Sequence, residues 1–307
     1  MSATIVLQQM GVITSLGAIG IYLYKAKVVD TDVSRKLSVI IMDICNPALI
    51  LSSILSGNIT ATHEDLITAL ILSACLYLGL VIVGFIFPYI VKAEKNDRRF
   101  YNLMNVYTNI GFIGIPVAKA ILPENAILYV IVCNVMYSLL FYTHGIIVLS
   151  NGKEKMSLKK VFSPGTIMAI VALLVFWFDI KPPVLITSSV SYLGNATVFL
   201  SMTLLGVNIA RSNITAGLKN VRIWVYVAVR MILIPLALFF TLRAFGSDSI
   251  TILGLCLMAL MPIGNMPLIQ AEKTGEDTSL LSSAIAISTV ASMATITVLM
   301  SIFTALL

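Results

Sequence analysis

Charged residues are scarce in this sequence, and their scarcity restricts the class of protein. Only 11% of its 307 residues are Asp, Glu, Lys or Arg, whereas 59% are hydrophobic. A soluble globular domain carries about 25% charged residues. The composition therefore excludes an ordinary soluble domain and indicates an integral membrane protein surrounded by a lipid bilayer.

Residues that bind metals, haem or nucleotides are also few. The only histidines are His63 and His144, and the four cysteines include no C-x-x-C pair. The sequence has no G-x-x-x-x-G-K-[ST] phosphate loop and no G-x-S-x-G nucleophile motif. Paired-histidine haem ligation, zinc sites, nucleotide hydrolysis and serine-hydrolase chemistry depend on such groups. We therefore expect no disulfide, no metal, no cofactor and no enzymatic activity.

Long hydrophobic stretches, in contrast, are abundant. Most approach the ~20 residues that a helix needs to span ~30 Å of hydrocarbon, and they lack the ~10-residue units typical of outer-membrane strands. We predict an all-α membrane protein with ten transmembrane helices, called helix 1 to helix 10 in order. They cover residues 5–24, 37–55, 66–91, 100–121, 126–150, 164–180, 186–209, 222–243, 249–271 and 279–306.

Basic residues are distributed unevenly between the connecting loops. Sixteen of the 20 Lys and Arg residues lie in loops that follow odd-numbered helices, and only Lys119, Lys181 and Arg243 lie on the opposite side. Cytoplasmic loops are enriched in Lys and Arg. We predict a multi-pass plasma-membrane protein with cytoplasmic odd-numbered loops and both termini outside. Topology and anionic lipid then account for the net charge of +6, and we expect no nucleic-acid partner.

The charged loop at 151–163 separates two halves of five helices each, at 1–150 and 164–307. Because five is an odd number, the second half enters the membrane in the opposite direction to the first. Such inverted repeats are typical of secondary transporters. The N-terminus has no basic segment and no small-residue cleavage site, so we expect helix 1 to remain in the mature protein.

Helices 4 and 9 are each interrupted by glycine and proline. The first interruption reads Asn109-Ile-Gly-Phe-Ile-Gly-Ile-Pro116, and the second reads Met261-Pro-Ile-Gly-Asn-Met-Pro267. Broken helices persist at membrane depth only where protein or a water-filled cavity shelters their backbone. Two interruptions at corresponding places in the two halves indicate the binding site of a secondary transporter. The alternative is close packing by small residues with structural proline kinks.

Each interruption predicts the N-terminus of a half-helix near the membrane centre. The free N–H groups and partial positive charge of such ends favour an anion. Glycine lets a ligand approach the backbone, and asparagine amides supply hydrogen bonds. The predicted substrate-binding residues are Asn109, Gly111, Gly114, Pro116, Pro262, Gly264, Asn265 and Pro267.

Arg230 lies within helix 8 and is added to this predicted site. Its guanidinium matches the geometry of a substrate carboxylate. Two alternatives are an ion pair with Asp43 and hydrogen bonds to the exposed carbonyls of a broken helix.

Asp43 is a carboxylate in the middle of helix 2, with Asn46 on the same face. We expect it to be buried, and a carboxylate withdrawn from water holds a proton more readily. Asp43 and Asn46 are therefore candidates for proton coupling; the alternative is a structural ion pair or a polar packing contact. Tyr101, Asn105 and Thr108 form a polar stripe on helix 4 that is consistent with a water-lined access path or with interhelical hydrogen bonds.

These motifs resemble the auxin efflux carrier family, which includes plant auxin carriers and bacterial malate or malonate permeases. The resemblance covers the whole chain. It implies a fold like that of sodium/proton antiporters and bile-acid transporters, in which helices 1, 2, 6 and 7 form a scaffold, and helices 3–5 and 8–10 move. Helices 4 and 9 would cross at their interruptions. The resemblance rests on Asn109-x-Gly-Phe-x-Gly-x-Pro116, on Met261-Pro262 with Ala271 and Gly275, on Arg230 with Pro235, and on the stretch from Asn195 to Gly206.

The resemblance and the predicted anion site together indicate a secondary active transporter or uniporter of a small organic anion that works by alternating access. A dicarboxylate such as malate or malonate is the expected substrate, ahead of an auxin-like aromatic acid, and the family suggests a homodimer. The alternatives are a cation-coupled carrier or sodium/proton antiporter of the same fold, and a sensory or regulatory membrane subunit. Phe199 stands where the family often has proline, so we expect helix 7 to be less kinked.

Overall fold

The computed structural model describes residues 3–55, 59–152, 161–212, 214–273 and 276–307. Within these ranges the chain is helical and forms no strand beyond one isolated β-bridge. The helices are α1 (Ala3–Lys25), α2 (Thr31–Leu55), α3 (His63–Ile90), α4 (Arg98–Val106), α5 (Ile110–Ile121), α6 (Glu124–Leu149), α7 (Pro164–Trp177), α8 (Val184–Arg211), α9 (Ile214–Lys219), α10 (Val221–Ala244), α11 (Ser249–Leu260), α12 (Met266–Lys273) and α13 (Ser279–Leu306).

Seven of the described helices are long and apolar enough to cross a membrane, namely α1, α2, α3, α6, α8, α10 and α13. The prediction of an all-α, multi-pass membrane protein is therefore confirmed for the described residues. The number of long apolar helices is below the ten predicted transmembrane helices for two reasons. Predicted helices 4 and 9 are each divided into two short helices, α4 with α5 and α11 with α12. In addition, α7 has only 14 residues. The inverted arrangement of two five-helix halves stays a prediction.

Three helices contain a wide turn of five residues that ends two residues before a proline. A proline inside a helix lacks an N–H and its ring clashes with the carbonyl four residues earlier. A π-type turn relieves this clash, because its hydrogen bonds reach five residues back; the bond from Asn46 N–H to the Ile41 carbonyl is one example. The wide turns are Ile41–Cys45 before Pro47, Ile110–Gly114 before Pro116, and Val229–Leu233 before Pro235.

Helices α1 and α8 pack with their backbones in close approach. A Cβ atom on Gly20 would lie 1.9 Å from the Thr203 carbonyl oxygen, and one on Gly206 would lie 1.9 Å from the Gly17 carbonyl oxygen. Small residues allow this approach, which supplies van der Waals contact where lipid gives no hydrophobic driving force. As expected from Phe199, α8 runs without interruption from Val184 to Arg211.

The remaining contacts place the two interrupted segments inside the bundle. Helix α2 packs against α7 and α8, α3 packs against α4 and α6, and α11 packs against α6, α10 and α13. The segments between α4 and α5 and between α11 and α12 are thereby enclosed by other helices. Nearly all of the residues that form these two segments are buried.

Candidate functional site

The two interruptions meet and pair through their backbones. Thr108 and Ile263 form an isolated antiparallel bridge. The Asn109 N–H donates to the Pro262 carbonyl at 2.8 Å, and the Gly264 N–H donates to the Tyr107 carbonyl at 2.9 Å. Each interrupted segment thus provides the hydrogen-bond partners that the other has lost from its helix. This pairing explains how extended backbone is accommodated away from water.

Gly264 is required by this close approach. A Cβ atom at this position would lie 2.8 Å from the Thr108 carbonyl oxygen and 3.1 Å from the Tyr107 carbonyl oxygen. Both of those atoms belong to the backbone of the opposite segment, which has little freedom to move. Gly114 differs, because a Cβ atom there would make ordinary contacts of 3.5 Å with Ile110 and Met258.

A cavity of about 100 Å³ lies beside the paired segments. It is bounded by α2, by both interruptions, by α6 and by the start of α7. Most of its polar side chains are asparagine, serine, threonine and tyrosine. The lining residues are Met42, Asp43, Asn46, Thr108, Asn109, Ile110, Gly111, Phe112, Asn134, Tyr137, Ser138, Tyr142, Ser163, Pro164, Gly165, Thr166, Gly264, Asn265 and Met266.

Three helices begin at this cavity. The lining includes the first residues of α5, the first residue of α12 with Asn265 before it, and the first residues of α7 with its N-cap Ser163. The N-terminus of a helix carries about half a positive charge and unpaired N–H groups. The cavity therefore combines three partly positive ends, of which the sequence predicted those of α5 and α12.

Two asparagines that line the cavity have unpartnered polar atoms. Asn109 caps α5, because its Oδ1 accepts a hydrogen bond of 3.2 Å from the Phe112 N–H. Within the described chain, the buried Nδ2 of Asn109 and the buried Oδ1 of Asn46 have no hydrogen-bond partner. Buried polar atoms are almost always paired with protein, water or ligand. These two atoms offer one donor and one acceptor for a bound molecule.

Asp43 lines the cavity, but the expectation that it is buried is wrong. Its side chain is exposed, whereas Ile41 and Cys45 on either side of it are buried. The wide turn Ile41–Cys45 thus directs Ile41 and Cys45 into the bundle and leaves Asp43 on the exposed face of α2. Its neighbour Asn46 is buried, so the two candidate coupling residues occupy different surroundings.

Arg230 is completely buried and does not line the cavity. Its Nε donates to the Asn105 carbonyl at 2.8 Å, and its Nη1 donates to the Ala259 carbonyl. These carbonyls lie at the ends of α4 and α11. Of the alternatives for Arg230, the structure therefore shows hydrogen bonds to the exposed carbonyls of the broken helices. No ion pair between Arg230 and Asp43 is present among the described residues.

Several predicted site residues lie away from the cavity lining. Pro262 contributes its carbonyl to the pairing of the interruptions, and Pro116 and Pro267 lie within α5 and α12. Of the predicted access stripe, Thr108 lines the cavity. Tyr101 and Asn105 are buried, and the Asn105 amide donates to the Tyr101 carbonyl of its own helix.

The cavity also contains residues that the sequence reasoning missed. Asn134, Ser138 and Tyr142 follow one face of α6 at intervals of four residues, together with Tyr137. That spacing is a readable signal of a polar helix face. The contribution of Ser163 and Thr166 depends on how α7 packs against α2, and no local pattern indicates it.

The described residues form a helical bundle typical of a multi-pass membrane protein, with a polar cavity beside two paired, interrupted helices. The chain belongs to the auxin efflux carrier family of membrane transport proteins, whose family model matches residues 5–300. It is also similar to an uncharacterized transporter of Methanocaldococcus jannaschii. The two sequences are 28% identical over 277 residues, which cover 85% of this chain and 86% of the relative.

Proposed function

We propose that the protein moves a small organic anion across the membrane by alternating access, with the cavity at the paired interruptions as its binding site. The observation that carries this proposal is the meeting of three helix N-termini at one cavity that has no lysine or arginine among its described lining residues. Dipoles and N–H groups attract an anion without a fixed positive charge that would hold it permanently. The free Nδ2 of Asn109 adds a directed donor.

The size of the cavity favours a small acid. The cavity has a volume of about 100 Å³. Sites for drug-sized ligands are ~300–1,000 Å³. A dicarboxylate such as malate or malonate fits this space better than an indole acid. The side-chain N–H groups of Asn46 and Asn134 would donate to its second carboxylate, since the Ser138 hydroxyl already donates to the Asn134 carbonyl.

The proposed transport cycle uses the ten-helix arrangement expected from the sequence. The halves 1–150 and 164–307 would be inverted repeats, and α1, α2, α7 and α8 would form the scaffold. Odd-numbered loops would lie in the cytoplasm and both termini outside the plasma membrane. The close packing of α1 and α8 supports a rigid scaffold. A homodimer through scaffold helices is part of the proposal.

Uptake by purified protein in liposomes tests the function directly. Labelled malonate and malate should accumulate inside the vesicles above the level in protein-free liposomes, and excess unlabelled acid should compete. Indole acetate should compete weakly, because its ring exceeds the cavity. A flat uptake trace for every acid in a broad panel, under imposed potentials and pH gradients, would contradict the proposal.

Changing Asn109 to serine should weaken malonate binding about ten-fold or more. Serine keeps an oxygen that caps α5, but it loses the amide donor, and a hydrogen bond to a charged group contributes ~1.5–3 kcal/mol. Asn265→Ala should also weaken binding. The control is Asn125→Ser, since Asn125 bonds to Thr60 away from the cavity. Unchanged affinity in both cavity variants by calorimetry would remove these asparagines from the site.

Changing Asp43 to asparagine should abolish accumulation driven by a pH gradient while exchange of labelled for unlabelled substrate continues. Asp43 is the only carboxylate among the described lining residues. A charged Asp43 would repel a bound anion, so a proton on Asp43 favours binding, and the two can move together. Intact gradient-driven accumulation in Asp43→Asn would exclude this role and favour a uniporter.

The same carboxylate favours a second candidate, a cation-coupled carrier or sodium/proton antiporter. In that case sodium alone should raise the unfolding temperature, because a ligand stabilises the folded state by RT ln(1 + [L]/Kd). A thermal-shift comparison of sodium, potassium and a panel of carboxylates distinguishes the candidates. Stabilisation by sodium with no response to any acid would favour the antiporter.

A further inference from the structure

Arg230 contacts the C-terminal ends of α4 and α11, which directly precede the two paired interruptions. We propose that Arg230 is a positioning residue that does not contact the ligand. Its positive charge offsets the negative C-terminal ends of α4 and α11 and thereby gives the cavity its preference for anions. This inference rests on the proposed function, because it explains the sign of charge that the cavity accepts.

The contacts of Arg230 join the two interrupted helices. Its Nε and Nη1 donate to the carbonyls of Asn105 and Ala259, which lie in the last turns of α4 and α11. One turn earlier on α10, the Tyr226 hydroxyl donates to the Met104 carbonyl at 2.9 Å. The carbonyls at a helix end have no partners within the helix. Side chains of α10 therefore satisfy the C-terminal ends of both helices.

The charges at the crossing explain why a cation is useful there. Each interrupted helix leaves a C-terminal end of about −0.5 elementary charge close to an N-terminal end of about +0.5. Without a compensating group, the opposite ends would largely cancel at the cavity. One guanidinium is about equal and opposite to the two C-terminal ends together. The positive ends of α5 and α12 are then left to act on the ligand.

No anionic side chain neutralises Arg230 in the part of the chain that the structure describes. Its electrostatic neighbours there are the phenols of Tyr226 and Tyr77, and none of the ion pairs includes it. Its Nη2 also has no hydrogen-bond partner among these residues. The positive charge is thus compensated by backbone dipoles alone, and in a medium of low dielectric constant its field extends to the cavity.

Arg230 is close enough to the cavity for its charge to change the affinity for an anion measurably. Asn105, which accepts from Arg230, and Asn109, which lines the cavity, are four residues apart, and four residues span at most about 14 Å. A unit charge about 14 Å from a monovalent anion, with an effective dielectric constant of ~20, changes the affinity for that anion about seven-fold. A divalent anion should respond more strongly.

Three substitutions separate the charge from the hydrogen bonds. Arg230→Lys keeps the charge, Arg230→Gln keeps donors without the charge, and Tyr226→Phe removes a neighbouring hydrogen bond to α4 without changing any charge. Calorimetry with malonate, and with the uncharged malonamide as probe, would follow the folded variants. We expect malonate affinity to fall at least seven-fold in Arg230→Gln and to stay within about two-fold of wild type in Arg230→Lys and Tyr226→Phe. Affinity for malonamide, where measurable, should be equal in all of them.

A pH series on Arg230→Lys gives a second measurement that does not depend on whether Arg230→Gln folds. A buried lysine loses its proton far more readily than a guanidinium. Asp43 lines the same cavity, so the wild type supplies the reference at each pH. The ratio of the malonate affinity of Arg230→Lys to that of the wild type should therefore fall as the pH rises. A structural role alone would leave this ratio constant.

The outcomes distinguish this inference from the proposed function. Two results would overturn the role of the charge and leave the anion site intact. One is equal malonate affinities in Arg230→Lys and Arg230→Gln at a pH at which the introduced lysine is protonated. The other is a ratio of Arg230→Lys affinity to wild-type affinity that does not change with pH. Failure of the wild type to bind any acid would overturn both proposals.

Discussion

Alanine in place of Gly206 is expected to destabilise the folded protein severely. The added Cβ would lie 1.9 Å from the Gly17 carbonyl oxygen and 2.9 Å from the Ile21 nitrogen, and both atoms belong to the backbone of α1. Overpacking of a flexible side chain costs ~1–3 kcal/mol. Here the obstacle is backbone, so the helices must separate, and we expect a loss above about 3 kcal/mol. Thermal unfolding in detergent, followed by fluorescence, would measure it.

The matched control is Gly11→Ala, in the other helix of the same pair. A Cβ atom on Gly11 meets nothing within 4 Å, as is also true of Gly79 in α3. Alanine is favoured over glycine inside a helix by about 1 kcal/mol. These two variants should therefore unfold at or slightly above the temperature of the wild type. A similar unfolding temperature for Gly206→Ala and Gly11→Ala would show that α1 and α8 are not packed this closely.

The sequence predicts the class of this protein well because the relevant signals are local. Hydrophobic length indicates membrane spans, and a proline within a span indicates a perturbed helix. Pro47, Pro116 and Pro235 each follow a widened turn by the same spacing, which fits the missing N–H. The relation is not general, because α6 widens at Phe141–Gly145 with no proline after it and α3 contains Pro88 with no widened turn. The partner of Gly206 is not local. Glycines occur in many spans, and only the packed structure pairs Gly206 with Gly17.

The contrast between local signals and tertiary packing also explains which parts of the candidate site could be predicted. Asn109, Gly264 and Asn265 adjoin breaks that the sequence displays, and they line the cavity. The burial of Asp43 could not be judged, because it depends on which side of a wide turn faces the bundle. The role of Arg230 was open for a related reason: a guanidinium deep in a span has several partners, and tertiary packing selects the carbonyls of Asn105 and Ala259.

Alanine in place of Gly264 is expected to abolish malonate uptake while leaving a folded protein. Its Cβ would lie 2.8 Å from the Thr108 carbonyl oxygen, so the two interrupted segments would have to move apart. The bond from the Gly264 N–H to the Tyr107 carbonyl would lengthen, and the ends of α5 and α12 would no longer converge on one cavity. A misplacement of about 1 Å at a binding site is sufficient for a 100-fold loss of activity. Initial rates of uptake into proteoliposomes would measure the loss.

Gly114→Ala is the control for this experiment, since it adds the same methyl group to the other interrupted helix. Its Cβ would make ordinary contacts of 3.5 Å with Ile110 and Met258, and Gly114 does not line the cavity. Uptake by Gly114→Ala should therefore stay within about two-fold of the wild type, because a contact at this separation requires no shift of the backbone. If the two variants transport malonate equally well, convergence of the helix ends at Gly264 is not what creates the binding site. A loss confined to Gly264→Ala, in protein that still unfolds cooperatively, would assign the site to the paired interruptions.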